Sequence, residues 1–410
     1  MNLFKLAWRN IVSNPLDVLL SLTLFALGIG LISFLILLNT QVKEKFDRNL
    51  AGIDMVIGAK GSPLQMILCN MYHIGNPTGN IKIKNAKPFL NPKHPLIETA
   101  IPLSLGDSYK TFRIVGTDYE LLDLYGGNIG KGRKWEKTFE VCIGSIVASE
   151  TGFEIGSEFQ SSHGFVLDDN LTHEEANFKV VGLIASSGTV LDQLILTDHS
   201  SIWEVHEPTI GPDKEQFHDF GNLLDNEDKE ITSILIKFKS KTNYLALNMP
   251  RNINKNTDLQ AASPAVEMNS LYLMIGVGTD TLGMLAIIIA IVSALSIFLS
   301  LLKSLKSRKY ELSLIRVMGA NKMRLFLLII MEGLILSVLG YICGILISHG
   351  SMEVLSGFLQ DSYQYNFSGL IFLKEDIYLF FVSLLIGIVA ALIPAFQASM
   401  TDINKVLAGS

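Results

Sequence analysis

Soft metal ligands cluster in one short segment of the chain, between residues 66 and 73. The segment brings together two thioethers, a thiol and an imidazole, from Met66, Cys69, Met71 and His73. Groups of this kind are the ligands that copper(I) and zinc prefer. The segment therefore predicts either a metal site, with a role in metal homeostasis, or an apolar helix that carries one histidine.

The sequence motifs of self-sufficient catalytic sites are absent from the chain. It contains no G-x-x-x-x-G-K-[ST] loop, no H-E-x-x-H, no G-x-S-x-G and no paired C-x-x-C. Residues 276–283, GVGTDTLG, are rich in glycine, but they lack the lysine of a phosphate-binding loop and begin an apolar run. We therefore interpret them as a hinge or a packing surface. We expect a chain that is not itself an enzyme and binds no cofactor. In any ATP-driven role, ATP and Mg would then belong to a partner.

The composition is too apolar for an ordinary soluble domain. Of the 410 residues, 49% are hydrophobic and 18% are charged, against about 25% charged in a typical soluble domain. The net charge of −6 gives no indication of nucleic-acid binding. Three cysteines are too few for a disulfide-dense fold. Cys69 and Cys142 would either pair in an oxidising compartment or be two unpaired core residues.

Four apolar segments are long enough to cross about 30 Å of hydrocarbon as helices of about 20 residues. They cover approximately 18–38, 282–302, 325–348 and 377–398, and the second extends back toward Leu271. The first resembles a signal peptide in having Lys5 and Arg9 before it. It is longer than the usual apolar core of about 7–15 residues and has no A-x-A-like exit, so we expect a retained helix.

Basic residues in the short connections predict the orientation of these helices. The connection between the second and third helices has one acidic residue, Glu311, and seven basic ones: Lys303, Lys306, Arg308, Lys309, Arg316, Lys322 and Arg324. The connection between the third and fourth has Lys374 alone, with four acidic residues. The first connection is therefore predicted to be cytoplasmic and the second external. Both termini then lie on the cytoplasmic side of a bacterial cell (inner) membrane, in agreement with Lys5, Arg9 and Lys405.

The predicted fold class is a membrane protein with four transmembrane α-helices and a large α+β extracytoplasmic domain inserted between helices one and two. The predicted parts are an amphipathic N-terminal helix (1–16), the first transmembrane helix and stalk (17–41), the inserted domain (42–270), a stalk and the second transmembrane helix (271–303), a cytoplasmic coupling-helix loop (304–324), the third transmembrane helix (325–348), an external loop (349–376), the fourth transmembrane helix (377–398) and a cytoplasmic tail (399–410).

The inserted domain alternates short strand patterns with turn residues. Val42, Phe46 and Leu50 recur every four residues, which predicts that the first long helix continues outward as a stalk. The remaining predictions are a strand within 54–63, a helix over 64–72, strands at 111–115, 140–147, 178–184, 193–196 and 231–238, a loop or mobile subdomain at 204–230, and a polar lead toward the membrane at 252–258. Lys60 is a candidate contact for an anionic substrate or lipid headgroup, or else a solvated turn residue.

The cytoplasmic connection contains a short amphipathic pattern. It combines an apolar face with a charged one, formed respectively by Leu312, Ile315 and Met318 and by Arg308, Glu311 and Arg316. Gly319 would end this helix. The pattern fits a surface helix that anchors the second transmembrane helix, or a coupling helix that docks on a soluble ATPase.

Several motifs occur in a fixed order around this helix. They are Glu311-x-x-x-x-Arg316-x-x-Gly319-Ala320, Glu332-Gly333, Pro394-Ala395, the tail 398–407, the opening LAWRNI at 6–11, and FKVVGLIASSGTVLD at 178–192. Together they resemble the FtsX/MacB/LolC-type ABC transporter permease family (type VII), and the last resembles its MacB-like periplasmic core domain. Residues 54–80 depart from the general family pattern.

The resemblance implies a function by mechanotransmission. Two permease subunits, identical or different, would pair with two copies of an ABC ATPase, and ATP-driven closure would be passed through coupling helices and stalks to the outer domains. The substrate would be a lipoprotein, a peptide or a small molecule, with a possible periplasmic or outer-membrane partner protein. Glu311, Arg316, Gly319 and Ala320 would couple to the ATPase. The alternatives are a regulatory membrane scaffold that activates an extracytoplasmic partner and a component of metal homeostasis.

One acidic residue lies inside an apolar helix. Glu332 is about two turns from the inner end of the third helix at Leu325. A carboxylate at membrane depth costs about 2.5–3.5 kcal/mol and is retained for a reason. We expect it to reach the interface, to pair with a basic residue such as Arg324, or to join its helix to the coupling helix or another helix.

Glycines in two of the apolar helices are spaced for close helix packing. Gly340 and Gly344 form a G-x-x-x-G motif in the third helix, and Gly28 and Gly30 lie in the first. They predict helix contacts within the chain or between two copies, although glycine is also common in membrane helices for no such reason.

Overall fold

The structure, a computed structural model, describes residues 3–13, 15–163, 172–206, 223–363 and 367–400. Two predicted segments therefore lie partly outside the described residues: the polar stretch 204–230, at 207–222, and the tail 398–407, beyond 400. The described helices are α1 Leu3–Val12, α2 Pro15–Leu50, α3 Pro63–Met71, α4 Ile83–Ala86, α5 Glu120–Leu124, α6 Ser145–Thr151, α7 His199–His206, α8 Tyr244–Asn256, α9 Pro264–Ser307, α10 Lys309–Val317, α11 Lys322–Tyr363 and α12 Lys374–Ser399. The described strands are β1 Met55–Ala59, β2 Ile81–Lys82, β3 Ile97–Tyr109, β4 Phe112–Thr117, β5 Ile129–Gly132, β6 Glu140–Ile143, β7 Glu158–His163, β8 Thr172–Ile184, β9 Leu194–Thr197, β10 Glu230–Ile231, β11 Ser233–Phe238 and β12 Leu259–Ala262.

The chain divides into two compact units. One, the helical unit, consists of Met1–Val42 and Met274–Ser410, and the other, the inserted domain, is Lys43–Leu273. Among the described residues, α2, α9, α11 and α12 are long and apolar enough to cross a membrane, with mean hydropathies of 2.5, 2.9, 2.4 and 2.7. The strand-rich inserted domain falls between the first and second of these helices. The predicted fold class, four transmembrane helices with a large domain of helices and strands between the first two, is confirmed.

Glycines allow close contacts between helices of the helical unit. A Cβ atom at Gly30 would lie 2.9 Å from the carbonyl oxygen of Gly344, and one at Gly340 would lie 2.3 Å from Phe25 Cδ1. A Cβ atom at Gly28 would lie 3.3 Å from the backbone of α9. Helix α2 therefore packs against α11 and α9 at positions where a larger residue would force the backbones apart.

The contact between α11 and α12 uses small residues that were not among the glycines predicted for helix packing. A Cβ atom at Gly333 would lie 2.8 Å from the carbonyl oxygen of Gly387 and 2.7 Å from Ala391 Cβ. By contrast, a Cβ atom at Gly276 or Gly283 of α9 would have no described neighbour within 4 Å. The glycines within residues 276–283 therefore face no close neighbour in the described part of this chain.

The inserted domain is built on a ten-stranded sheet. Its strand order is β12-β1-β11-β3-β4-β9-β6-β8-β5, and β7 pairs with β3 and β8. The pairs β4–β9 and β6–β8 are parallel. Every residue of β4, β6 and β9 is buried, which is the pattern of strands covered on both faces.

Most of the predicted strands are present, as β1, β4, β6, β8, β9 and β11, and the predicted helix over 64–72 is α3. Two predictions were wrong. Residues 145–147, predicted as strand, begin α6. The strand ends before them because Gly144 is the N-terminal cap of that helix. Residues 252–256, predicted as a polar lead toward the membrane, belong to α8, whose buried face the many asparagines concealed.

The cysteines of the inserted domain are not joined. Cys69 and Cys142 are both buried free thiols. Of the two alternatives left open by the sequence, they are therefore unpaired core residues, which is the common behaviour of a free cysteine.

Candidate functional site

Helix α10 is the short amphipathic helix predicted between the second and third long helices. Gly319 follows it with a φ of +99°, the left-handed conformation that glycine adopts without steric cost. The amide of Ala320 donates to the carbonyl of Ile315 over 3.2 Å and closes the last turn. Gly319 thus follows the end of α10 as the motif predicted.

The inner face of α10 is fixed to its own unit. Leu312 is 5% exposed and belongs to an apolar cluster that includes Ala7 of α1, Leu305 of α9 and Leu328 of α11. Ile315 packs against the same cluster. Contacts with three other helices therefore hold α10 in place.

The outer face of α10 is apolar as well. Its exposed large apolar side chains, 47–73% accessible together with Met318 directly after the helix, are Tyr310, Leu314 and Val317. Their spacing places them on one side of the helix. Of the predicted apolar face, Leu312 and Ile315 are packed, whereas Met318 follows the end of the helix with its side chain exposed.

Glu332 connects α10 to two other helices. Its side chain is 2% exposed, and its Oε1 accepts from Asn10 Nδ2 of α1 over 2.6 Å. Arg308 Nη1, directly before α10, lies 3.7 Å from the same oxygen. Arg308 Nη2 also donates to the carbonyl of Asn10 over 3.3 Å and to the Ser304 hydroxyl. The suggested partner Arg324 was wrong: it is exposed, whereas the Glu332 carboxylate is directed at α1 and Arg308.

A small recess lies beside this polar cluster. Its volume is about 30 Å³, and its lining includes Asn10, Arg308, Glu311 and Glu332 together with apolar residues of α1, α10 and α11. A cavity needs roughly 10–15 Å³ of such space to hold one water molecule. The recess can therefore hold about two water molecules beside the polar cluster.

The four residues predicted to couple to an ATPase lie together on α10 and the turn after it. Glu311 is exposed at the edge of the recess, and Arg316 is half-buried. Gly319 is exposed and Ala320 is half-buried. None of them belongs to the exposed apolar face, which the sequence analysis missed although the four-residue spacing of Tyr310 and Leu314 was a readable signal.

A second buried polar cluster, also missed, joins α2, α11 and α12. Asp376 is 1% exposed, and its two oxygens accept from the Ser33 hydroxyl over 2.8 Å and from the amide of Leu373 over 3.0 Å. The Ser348 hydroxyl donates to Ser33 Oγ over 3.0 Å, and His349 Nε2 lies 3.7 Å from Asp376 Oδ2. An acidic residue in the first turn of a helix is a common cap, and this position was the available signal.

The soft-ligand segment forms α3 and the turn after it. Met66, Cys69 and Met71 are buried in the apolar core of the inserted domain. Arg113 Nη1 lies 3.0 Å from Cys69 Sγ. Burial raises the pKa of the Cys69 thiol, and burial together with Arg113 lowers the pKa of His73 to about 3. The described residues contain no group of three His, Cys, Asp or Glu side chains that could hold a metal ion, and a fixed guanidinium beside the thiol opposes binding of a second cation here.

Ser104, His199 and Asp118 approach one another in the inserted domain without forming an accessible nucleophilic site. Ser104 Oγ lies 2.8 Å from His199 Nδ1, and His199 Nε2 lies 3.9 Å from Asp118 Oδ1. Ser104 and His199 are each 3% exposed. Burial lowers the pKa of His199 to about 4 and raises that of Asp118 to about 7. The serine is closed off from solvent, so this group is a buried polar contact.

The segment that contains α10 and Glu332 matches a known family. Residues 283–403 match the model of the FtsX-like permease C-terminal family. The resemblance to FtsX-like permeases that the sequence predicted is therefore confirmed over these residues. With its four long apolar helices, the chain is a multi-pass membrane protein.

Two solved structures are similar to the chain over about half its length. One is the extracellular domain of the noncanonic ABC-type transporter YknZ from Gram-positive bacteria, at 10% identity, with 50% of this chain and 98% of that chain covered and a TM-score of 0.28. The other is a domain of a permease protein from Porphyromonas gingivalis, at 10% identity, with 52% and 87% covered and a TM-score of 0.26. No curated protein matches the chain.

Proposed function

We propose that the chain is the non-catalytic permease subunit of an ABC complex in a bacterial cell membrane, with both termini and α10 in the cytoplasm. It would pair with a second permease subunit and two copies of a separate ATPase, which binds ATP and Mg. The complex would perform mechanical work on a lipoprotein, peptide or small molecule at the outer side of the membrane. The observation that carries the proposal is the exposed apolar face of α10.

The two faces of α10 suit a docking helix. Tyr310, Leu314, Val317 and Met318 remain exposed, although the opposite face is packed. A contiguous exposed apolar patch, unlike a single exposed apolar residue, indicates an interaction surface. A groove on a soluble ATPase would bury these side chains in the way that helix-in-groove complexes do.

The polar cluster around Glu332 supports a mechanical role for the same helix. Glu332 ties Arg308, at the start of α10, to Asn10 of α1 and to its own helix α11. Separation of a buried charged pair leaves an unpaired charge at a cost of several kcal/mol. A displacement of α10 by a docked ATPase would therefore move α1 and α11 with it, which is the requirement for coupling.

Two of the long helices continue into the inserted domain without a break. The end of α2 contributes Phe46 and Leu50 to the apolar core of that domain, and Asn49 Oδ1 accepts from the amide of Val190 over 3.0 Å. The start of α9 contributes Met268. Continuous helices anchored in this manner would carry motion along their axes, which supports work on the outer side.

The proposal is tested by purification of the full-length chain from its native membrane in mild detergent. We expect a P-loop ATPase, identified by mass spectrometry, and Mg-dependent ATP hydrolysis in the purified material. Leu314→Glu with Val317→Glu should reduce both at least about tenfold, because charges would enter an apolar groove. Ile155→Glu, the same change at an exposed residue of the inserted domain, serves as the control. Recovery of the wild-type chain without any ATPase would disprove the proposal.

A further inference from the structure

Helix α8 of the inserted domain has an exposed face that the proposed coupling does not use. Among the described residues of this domain outside α9, the exposed large apolar side chains are Tyr119, Ile155, Tyr244, Leu245 and Leu247. Three of these five stand within four consecutive residues at the start of α8, with exposures of 76%, 62% and 63%. Such a patch indicates an interaction surface, whereas an isolated residue such as Ile155 needs no explanation.

The start of α8 is held in place, so the exposure is a built feature of the domain. Asn243 caps the helix, because its Oδ1 accepts from the amide of Leu245 over 2.9 Å. On the opposite face, Ala246 and Ile253 are 1% and 5% exposed and belong to an apolar core cluster. Tyr244, Leu245 and Leu247 therefore cannot turn inward without unwinding the helix.

The exposed face becomes basic toward the end of α8. Arg251 and Lys255 lie seven and eleven residues after Tyr244, which places them on the same side of the helix as Leu247. Both are exposed, and neither forms an ion pair within the described part of the chain. Residues 239–257 contain four basic residues and no acidic residue, although the chain as a whole has a net charge of −6.

Lys60 adds a further positive charge at the basic end. Its Nζ donates to the carbonyl of Asn254 in the last turn of α8 over 2.7 Å. A cation at the C-terminal end of a helix is favoured by the helix dipole. Lys60, a candidate for anionic contacts on sequence grounds, thus lies against the last turn of α8. The same helix carries Arg251 and Lys255.

We propose that α8 binds an anionic phospholipid surface. Tyr244, Leu245 and Leu247 would enter the boundary between headgroups and acyl chains, and Arg251 and Lys255 would contact the phosphates. Exposed aromatic and aliphatic side chains beside basic residues, without acidic ones, combine burial of apolar area with attraction to anionic lipids. An acidic protein would satisfy the charges, but it would not call for three adjacent exposed apolar residues with a tyrosine among them. Because four long helices keep the chain in a membrane, such a surface is always available.

The test uses the full-length chain in nanodiscs made of phosphatidylcholine. Binding to a second membrane is measured by co-flotation with vesicles of phosphatidylcholine, alone or with phosphatidylglycerol. Binding to its own membrane is measured by the emission of a polarity-sensitive dye at Asn248→Cys, in nanodiscs with and without phosphatidylglycerol. We expect phosphatidylglycerol to produce co-flotation, a blue shift of the dye, or both.

The variants separate the two parts of the surface. Arg251→Gln with Lys255→Gln should weaken the lipid response about 30-fold, at about fivefold for each basic residue. Leu245→Ser with Leu247→Ser should weaken it at least about tenfold. The matched controls Lys93→Gln with Lys131→Gln, and Ile155→Ser, should leave it unchanged.

Three outcomes would overturn the proposal. One is the absence of a phosphatidylglycerol response in both formats. Another is binding to polyglutamate without binding to vesicles, which would assign the surface to an acidic protein. The third is a change in the oligomeric mass of the Arg251 and Lys255 variant with no loss of lipid response, which would assign the surface to a second copy of the chain. Unchanged unfolding temperatures of all variants establish that they fold.

Discussion

The helical unit and the inserted domain place apolar and polar residues in opposite ways. In α9, Ile291 and Leu295 are 57% and 54% exposed, while Glu332 of α11 is 2% exposed. In the inserted domain, Ile57 and Val115 are fully buried, and large apolar side chains are exposed at few described positions. The difference shows that each unit is built for its own solvent, lipid in one case and water in the other.

This difference changes what holds each unit together. The hydrophobic effect drives the sheet of the inserted domain to bury its apolar side chains. Between helices in lipid that driving force is missing, because acyl chains are as apolar as leucine. Close contacts at Gly30 and Gly344, and polar links at Glu332 and Asp376, take its place in the helical unit.

The largest expected effect in the helical unit concerns Glu332. Glu332→Ala should destabilise the helical unit by about 3 kcal/mol, because it removes the buried carboxylate that faces Arg308 and accepts from Asn10. The free energy of unfolding is measured in nanodiscs by titration with sodium dodecyl sulfate. Glu332→Gln, which retains an acceptor for Asn10, should cost less. Equal stability of Glu332→Ala and the wild type would contradict the proposed link.

A buried carboxyl group of the inserted domain should instead respond to pH. Burial raises the pKa of Asp107 to about 7, so the native state keeps a proton that the unfolded chain releases near pH 4. The stability conferred by this proton is complete below about pH 4 and is lost as the pH rises toward 7, by up to about 4 kcal/mol. The free energy of unfolding of the wild type minus that of Asp107→Asn should therefore fall from pH 4 to pH 7, because only the wild type carries the titrating group.

The difference between the two proteins is the correct measure here, because buried His73 and His199 have lowered pKa values and act in the opposite direction. The fluorescence of Trp135 and Trp203, both buried in the inserted domain, follows its thermal unfolding. A difference independent of pH would show that Asp107 is charged in the native state.

A pair of leucine substitutions compares the two units directly. Leu235→Ala, at a residue 2% exposed in β11, should cost about 3 kcal/mol of unfolding free energy. Leu295→Ala, at a residue 54% exposed in α9, should change it by less than about 0.5 kcal/mol. Both are followed in the full-length chain in nanodiscs. A large effect of Leu295→Ala would mean that another protein, and not lipid, covers that face.

A smaller effect than that of Leu235→Ala is expected at the glycine contact. Gly30→Ala should cost about 1–3 kcal/mol, because its Cβ would lie 2.9 Å from the carbonyl oxygen of Gly344. Gly276→Ala, at a glycine of α9 with no described neighbour, is the control and should be neutral or slightly stabilising through helix propensity. If both substitutions have the same effect, close packing at Gly30 is not what stabilises the unit.

The elements that could be predicted from the sequence are those whose signals come from neighbouring residues. The four apolar helices, the strands β4 and β9 and the end of α10 at Gly319 were predictable, because hydropathy, alternation and turn chemistry act over neighbouring residues. The long strand β3 was missed because Pro102 and Gly106 lie inside it, and both residues usually interrupt strands. Helix α8 was missed because asparagine and lysine obscure its narrow buried stripe.

The candidate site was predicted in part for the same reason. The motif from Glu311 to Ala320 marked α10, and a carboxylate at Glu332 was conspicuous in an apolar run. The partners of Glu332 could not be predicted, since Asn10 and Arg308 are 322 and 24 residues away in sequence and meet it only through the packing of three helices. Which apolar side of α10 faces outward could not be predicted, because only the burial of Leu312 in the structure shows which side of the helix packs.

The sequence by itself determined that this protein crosses a membrane four times, carries a large domain after the first crossing, and resembles an ABC permease. Those properties depend on the composition of continuous segments and on motif order, both of which are local. Only the tertiary structure decided that Glu332 joins three helices, that Cys69 faces Arg113, and that Tyr244 and Arg251 share one exposed surface. Such pairings depend on which side of each element faces another, and distant segments acquire that relation only by packing.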